Sequence, residues 1–226
     1  MRLIAFDTAT EWCTAALWVD GAVAVREERA GQRHSDLLVP MVMDLLAEAA
    51  LKLNQLDGLA YGMGPGSFTG LRIACGVAQG LALGGDIPVL GVSTLEALAE
   101  EAWVQRQADR VLACLDARMH EVYAGLYLRQ GDGWTCQAGP VVCPPGHAPA
   151  PPAPGYLGIG PGFAAYPAMA DELPVPLAGV AGELIPHARS IVCLAAPRFG
   201  RGEGLPPEAA EPLYIRDKVA LKICER

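Results

Sequence analysis

The sequence predicts an α/β protein built as two similar lobes, on three observations. The run Leu3-Ile4-Ala5-Phe6-Asp7 returns as Leu112-Ala113-Cys114-Leu115-Asp116, each time an apolar strand ending in a carboxylate. The turn Tyr61-Gly62-Met63-Gly64-Pro65-Gly66 returns as Leu157-Gly158-Ile159-Gly160-Pro161-Gly162. With 226 residues, 52% of them hydrophobic, the chain can fill two modest cores. Two echoes in the same order within nearly equal halves point to internal duplication.

Each element follows locally. Leu3 to Asp7 reads as a strand, Cys13 to Val19 as its hairpin partner before the turn Asp20-Gly21, and Ala22 to Arg26 as a third strand. In the second half Leu112 to Asp116 is followed by Val122 to Tyr127. Leu3 and Leu112, Asp7 and Asp116, Ala15 and Ala124, and Leu17 and Leu126 all stand 109 positions apart. The Gly-Pro-Gly echoes stand 96 apart, so the second copy is 13 residues shorter between its echoes. There the first half carries a helix, whereas residues 140–154 hold seven prolines and cannot form one. Strand-strand-strand-helix-strand-helix, duplicated, is the outline of the actin/hexokinase-like (ASKHA) fold, two ribonuclease-H-like lobes on mixed sheets. The expected lobes are 1–106 and 107–226, divided at Gln105-Arg106-Gln107 between a helix over Ser93 to Trp103 and a strand from Val111.

A helix running from His34-Ser35-Asp36 to Ala50 takes Ser35 or Asp36 as its N-cap, with Pro40 early in it. Leu37, Met41 and Leu45 form one i+4 row, and Leu38, Val42, Leu46 and Ala49 the next. Val39 and Met43 widen this sector beyond the roughly 100° that one sheet contact needs. A second helix, Thr69 to Leu83, sets Ala74, Ala78 and Ala82 in one row and Gly76 and Gly80 in another, small residues that let a neighbouring helix come close. A partner interface is therefore expected at Leu37, Leu38, Met41, Val42, Leu45, Leu46, Ala74, Gly76, Ala78 and Gly80. The neighbour is the first helix of the same lobe, a helix from another subunit, or both.

The segment from Gly62 to Arg72 could cradle an anion at a helix start. It lacks the Lys-Ser/Thr pair of a Walker loop, Pro65 spoils a dinucleotide fingerprint, and Pro65 and Thr69 stand where a serine-hydrolase elbow around Ser67 needs glycines. A structural turn is the stronger reading. In this fold the first hairpin grips phosphate through a Gly and hydroxyls, and Asp7-Thr8-Ala9-Thr10 keeps the hydroxyls without the Gly. Intrinsic nucleotide binding is expected to be weak or absent. Asp7 and Asp116 could form a metal-assisting pair, but their duplicated position explains them structurally. His34, His120, His147 and His187 show no i, i+4 metal spacing, and Leu38 stands where a second ligand would follow His34. His34 is expected to start a helix and bond to a neighbouring loop. The seven Cys, at 13, 75, 114, 136, 143, 193 and 224, form no C-x-x-C pair and read as reduced thiols of a cytosolic protein. Net charge is −8, of which residues 1–109 carry −7 (7 basic against 14 acidic), so no basic face for nucleic acid is expected. The apolar start is too short for a signal or membrane span.

Six strings together resemble the TsaB (YeaZ) family from end to end. They are Asp7-Thr8-Ala9-Thr10-Glu11; His34-Ser35-Asp36-Leu37-Leu38 with Pro40; Gly64-Pro65-Gly66-Ser67-Phe68-Thr69-Gly70-Leu71-Arg72; Gly91-Val92-Ser93-Thr94-Leu95-Glu96-Ala97-Leu98; Asp116-Ala117-Arg118 with Glu121-Val122-Tyr123; and Glu211-Pro212-Leu213-Tyr214-Ile215-Arg216. The resemblance implies a non-catalytic subunit of the machinery that forms threonylcarbamoyladenosine at position 37 of tRNA. It implies a homodimer when alone, a heterodimer with the catalytic paralogue TsaD through first-lobe helices, recruitment of the ATPase TsaE, and tRNA contact only through the complex. It implies no intrinsic cofactor, with ATP or ADP at most at the interface with the paralogue. Two other classes remain in view: a kinase-like nucleotide-binding enzyme of the same fold, and a metalloprotease-like protein.

Overall fold

The structure, a computed structural model, describes residues 1–216. Its first lobe runs β1 (Arg2–Asp7), β2 (Trp12–Val19), β3 (Ala22–Arg29), α1 (His34–Glu48), β4 (Gly58–Gly64), α2 (Phe68–Gly85), β5 (Val89–Ser93) and α3 (Thr94–Arg106). The second runs β6 (Arg110–Arg118), β7 (Glu121–Gln130), β8 (Gly133–Cys143), β9 (Leu157–Ile159), α4 (Pro161–Ala165), α5 (Met169–Glu172), β10 (Gly179–Ala181) and α6 (Ala188–Gly200). The sheets are ordered β3-β2-β1-β4-β5 and β8-β7-β6-β9-β10. In both, an antiparallel three-strand meander continues through two parallel strands. The duplication is therefore topological, and the fold is α/β with two ribonuclease-H-like lobes of the ASKHA type.

The strand registers refine the echoes. Phe6 pairs with Ala15, whereas Leu115, its counterpart 109 positions on, pairs with Tyr123. The second strands thus correspond at an offset of 108, and the apparent match of Ala15 to Ala124 is one residue out of register, the second hairpin having the shorter connection. Leu3 faces Gly58 and Leu112 faces Gly158, an offset of 100. The second Gly-Pro turn therefore leaves its sheet four residues sooner than the first. Gly160 and Gly162 consequently lie against Cys114 in mid-strand, while Gly66 and Gly70 reach past the end of β1 to Ala9 and Thr8.

The Pro-rich stretch does replace a helix. Ala148, Tyr156, Phe163, Met169 and Leu173 cover the face of the second sheet that presents Leu112, Cys114, Val122 and Leu126. In the first lobe the equivalent face is covered by α1 and α2, which share one core with Ile4, Phe6, Leu17 and Leu59.

The last helix of each half crosses to the other. Leu95, Leu98, Ala99 and Ala102 of α3 pack on Val111, Ala113 and Leu115 of the second sheet. Ala188, Ile191, Val192 and Ala195 of α6 pack on Leu3, Ala5 and Ala60 of the first. A cut at residue 106 separates the sheets, but the cores are built across it. Between these helices Glu101, almost fully buried, accepts hydrogen bonds from Arg189 and from Ser190 Oγ, the latter at 2.6 Å.

Candidate functional site: the interlobe cleft and the outer helix face

β1 ends in Asp7, whose side chain is sealed in. Asp7 Oδ1 accepts the Ala9 N–H at 2.9 Å, while Oδ2 has no partner among the described residues. Burial pushes its pKa up to about 7, against the opposing pull of the Ala9 N–H. The neighbour must be glycine, because a Cβ on Gly62 would sit 1.8 Å from Asp7 Oδ2.

The glycine loop closes on this turn. Ser67 N–H donates to the Ala9 carbonyl at 2.8 Å, and Thr8 Oγ1 donates to the Gly70 carbonyl at 2.8 Å. A Cβ on Gly70 would lie 1.9 Å from the Thr8 carbonyl, and one on Gly66 would lie 2.6 Å from the Ala9 carbonyl. The room these glycines make is filled by the protein's own backbone, and the Thr8 hydroxyl is committed to it. The glycine loop and the Asp7–Thr10 turn are thereby fastened to one another. Ser67 caps α2, its Oγ accepting the Gly70 N–H at 3.4 Å. Gly64, at φ +118°, turns the chain and lies against the Leu213 carbonyl.

His34 opens α1, and its Nε2–H donates to the Thr10 carbonyl at 2.9 Å, the bond to a neighbouring loop that the sequence led us to expect. The N-cap position is Arg33 with no side-chain cap bond, so neither Ser35 nor Asp36 fills it. Among the described residues no three of His, Cys, Asp and Glu gather as a metal site. Six cysteines are free thiols, and Cys224 lies outside the described residues.

Between the lobes lies a cleft of about 940 Å³. Thr10, His34, Gly66, Ser67, Thr69 and Gly70 line it from the first lobe, Asp116 and Arg118 from the second, and Leu213 to Arg216 from the last described segment. Asp116 Oδ1 accepts the Arg118 N–H at 2.8 Å, and its carboxylate meets the Arg118 guanidinium at 3.2 Å. Arg118, Met119 and His120, at φ +61°, +56° and +58°, make a turn of three consecutive left-handed residues without a glycine. Such residues cost roughly 1–2 kcal/mol each, so this turn needs support from its surroundings.

Close to this turn comes a segment the residue-by-residue reading took up only as part of a family string. Tyr61 O–H donates to the Glu211 carbonyl and accepts the Glu211 N–H, at 3.0 and 2.9 Å. Leu213 N–H donates to the Met63 carbonyl at 2.7 Å. Arg72 Nε donates to Tyr214 Oη at 3.0 Å and lies 3.8 Å above the Phe68 ring, which also packs on Tyr214. Arg216 pairs with Glu121 and points at the Arg118 carbonyl and the Tyr123 ring.

The expected interface residues divide in two. Leu38, Met41, Val42, Leu45, Leu46, Ala74 and Ala78 are buried in the first-lobe core, which corrects their assignment to a partner surface. The physical reason is that α1 packs on β2, β3 and α2 together, so its inward sector is wider than one sheet contact requires. Leu37 is half-buried against the same core. Gly76 and Gly80 do face outward, with nothing within 4 Å of a Cβ on either. On α1 Val39 and Met43 are 37% and 50% exposed, and on α2 Leu83 is 74% exposed. No helix among the described residues is long and apolar enough to cross a membrane.

Over 98% of the chain and 97% of the relative, the sequence is 42% identical to the tRNA threonylcarbamoyladenosine biosynthesis protein TsaB of Escherichia coli. The chain belongs to the TsaB family. It is 36% identical to the TsaB of Haemophilus influenzae over 98% of this chain and 96% of that one. A family model described as TsaD, tRNA N6-adenosine threonylcarbamoyltransferase, matches residues 25–188. The solved YeaZ of Pseudomonas aeruginosa superposes with a TM-score of 0.87 at 40% identity, over 94% of this chain and 99% of that one. A second P. aeruginosa structure, described as an uncharacterized protein with similarity to peptidase YEAZ, gives 0.89 at 40% identity, over 95% and 99%. TsaB-family membership thus covers both lobes, the Pro-rich connection included.

Proposed function

We propose that this chain is a non-catalytic partner subunit in the formation of N6-threonylcarbamoyladenosine at position 37 of tRNA, and that it works by docking a TsaD-like catalytic paralogue. Support comes from relatives named for that pathway along nearly the whole chain. The observation that carries the docking role is what α1 and α2 leave exposed: Gly76 and Gly80 lie open, and Val39, Met43 and Leu83 are apolar and exposed. Exposed apolar side chains on these helices favour a protein partner, and the glycines let a second helix pair approach closely. A homodimer uses the same face when the paralogue is absent, so the two assemblies exclude one another. A TsaE-like ATPase joins the pair, and tRNA is met only through the complex, in keeping with a chain of net charge −8. The protein works in the cytoplasm.

The filled glycine loop argues against intrinsic nucleotide binding, so ATP or ADP is placed at most at the interface with the paralogue. Purified chain added to the TsaD-like and TsaE-like proteins should be required for modification of a tRNA transcript without itself turning over ATP or peptide. Full modification in its absence, or ATP hydrolysis by the isolated chain that is lost in Asp7→Ala, would overturn the reading.

A further inference from the structure

We propose that residues 211–216 form a latch across the mouth of the interlobe cleft, holding the lobes at a set opening and the left-handed turn in its strained form. The two ends of this six-residue segment are fixed to different lobes. At the first lobe, Glu211 is held by Tyr61 on both its N–H and its carbonyl, Leu213 is bonded to Met63, and Tyr214 is gripped by Arg72 and Phe68 beside the first turn of α2. At the second lobe, Arg216, whose side chain is only 12% exposed, pairs with Glu121 and faces the Arg118 carbonyl and Met119 Sδ. The far side of the cleft is joined differently, by the crossed helices α3 and α6 and the buried Glu101–Arg189–Ser190 cluster. One side is thus a buried joint and the other a thin strap with few attachments. Strapped segments of this kind belong to the low-stability end of a fold, where local opening is possible without global unfolding.

Arg216 is the attachment that matters, because it is at once the strap's ionic anchor in the second lobe and the partner of a turn that no glycine relieves. With Arg216 detached, the turn can relax, and the strap is left with its first-lobe contacts alone, so Tyr214 is held on Arg72 and Phe68 from one side only. Opening therefore couples two places that share no direct contact in sequence or sheet: the turn at 116–122 and the glycine loop at 64–72. A role confined to the turn would loosen only the first of these.

Hydrogen exchange on the full chain separates the two. Arg216→Ala should speed exchange about tenfold or more both in peptides covering 116–122, where the Arg118 N–H is bonded to Asp116, and in those covering 64–72, where Ser67 and Leu71 N–H are bonded. Exchange in 94–106 and 188–200 should stay unchanged. Glu121→Gln, which removes the ion pair while keeping the arginine, should give the same pattern in weaker form. Acceleration limited to 116–122 in both variants, or no acceleration in either, would overturn the latch. If Arg216→Ala loses its fold, as seen by acceleration everywhere, Glu121→Gln decides alone on the same two peptides.

Discussion

Asp7 and Asp116 make the same turn contact in the two lobes: Asp7, at the end of β1, and Asp116, two residues before the end of β6, each accept the N–H two residues on, Ala9 at 2.9 Å and Arg118 at 2.8 Å. They differ in what covers them. Asp116 reaches the cleft and meets Arg118 and Tyr166, whereas Asp7 is sealed under Gly62 with one oxygen that has no partner among the described residues.

The burial of Asp7 makes a pH prediction. Its pKa is raised from 3.8 to about 7, so between those values the folded state holds a proton that the unfolded state has released. Stability from this site is full below pH 3.8 and declines as pH rises through 7, by an amount on the order of 4 kcal/mol. Asp7→Asn removes the titration. Denaturant melts at pH 5 and pH 8 should show the wild type losing stability across the interval relative to the variant. Parallel curves would show that Asp7 ionises freely in the fold.

Gly62→Ala should be among the most damaging single-methyl additions, because its Cβ would fall 1.8 Å from Asp7 Oδ2. A loss of about 1–3 kcal/mol is expected, because the buried Asp7 carboxylate must turn aside from the Ala9 N–H to make room. Asp7→Gly, which clears the space, should make Gly62→Ala nearly harmless in a double-mutant cycle. Additive losses would place the clash elsewhere.

Glu101→Ala should cost about 1–3 kcal/mol, since it leaves the buried Ser190 hydroxyl and the partly exposed Arg189 guanidinium without their shared acceptor between the lobes. Its melting curve should shift as one transition, because the crossed helices tie both cores together. A loss under 1 kcal/mol would mean that water takes over the vacated bonds.

Much of this fold is legible in the sequence because strands advertise themselves locally. Apolar runs ending at Asp7 and Asp116 mark equivalent strands, and the seven prolines after residue 139 rule out a second copy of α1. Register was less visible, since Ala, Leu and Gly recur often enough for an echo to match one or four residues out of place. The crossing of α3 and α6 was not visible at all, being a long-range choice between two apolar sheets that no local pattern encodes. On α1 the apolar residues cover so much of the circumference that the inward rows, Leu38-Val42-Leu46 and Met41-Leu45, cannot be told from the outward pair Val39 and Met43 until the helix is placed. At the site, the Gly loop and His34 were recognisable from residue types and spacing, but the strap from Glu211 to Arg216 is extended chain held by side chains far off in sequence.

Gly80→Arg is the decisive variant for the proposed docking of a second copy and of the TsaD-like paralogue on the outer face of α1 and α2. Gly80 is exposed with nothing within 4 Å of a Cβ, so the fold should be kept, and replacing a mid-helix glycine should add up to about 1 kcal/mol of stability. Light scattering after size exclusion, together with capture of the purified TsaD-like paralogue, should show a folded monomer that binds neither partner. A folded variant that still forms both complexes at unchanged affinity would contradict the account.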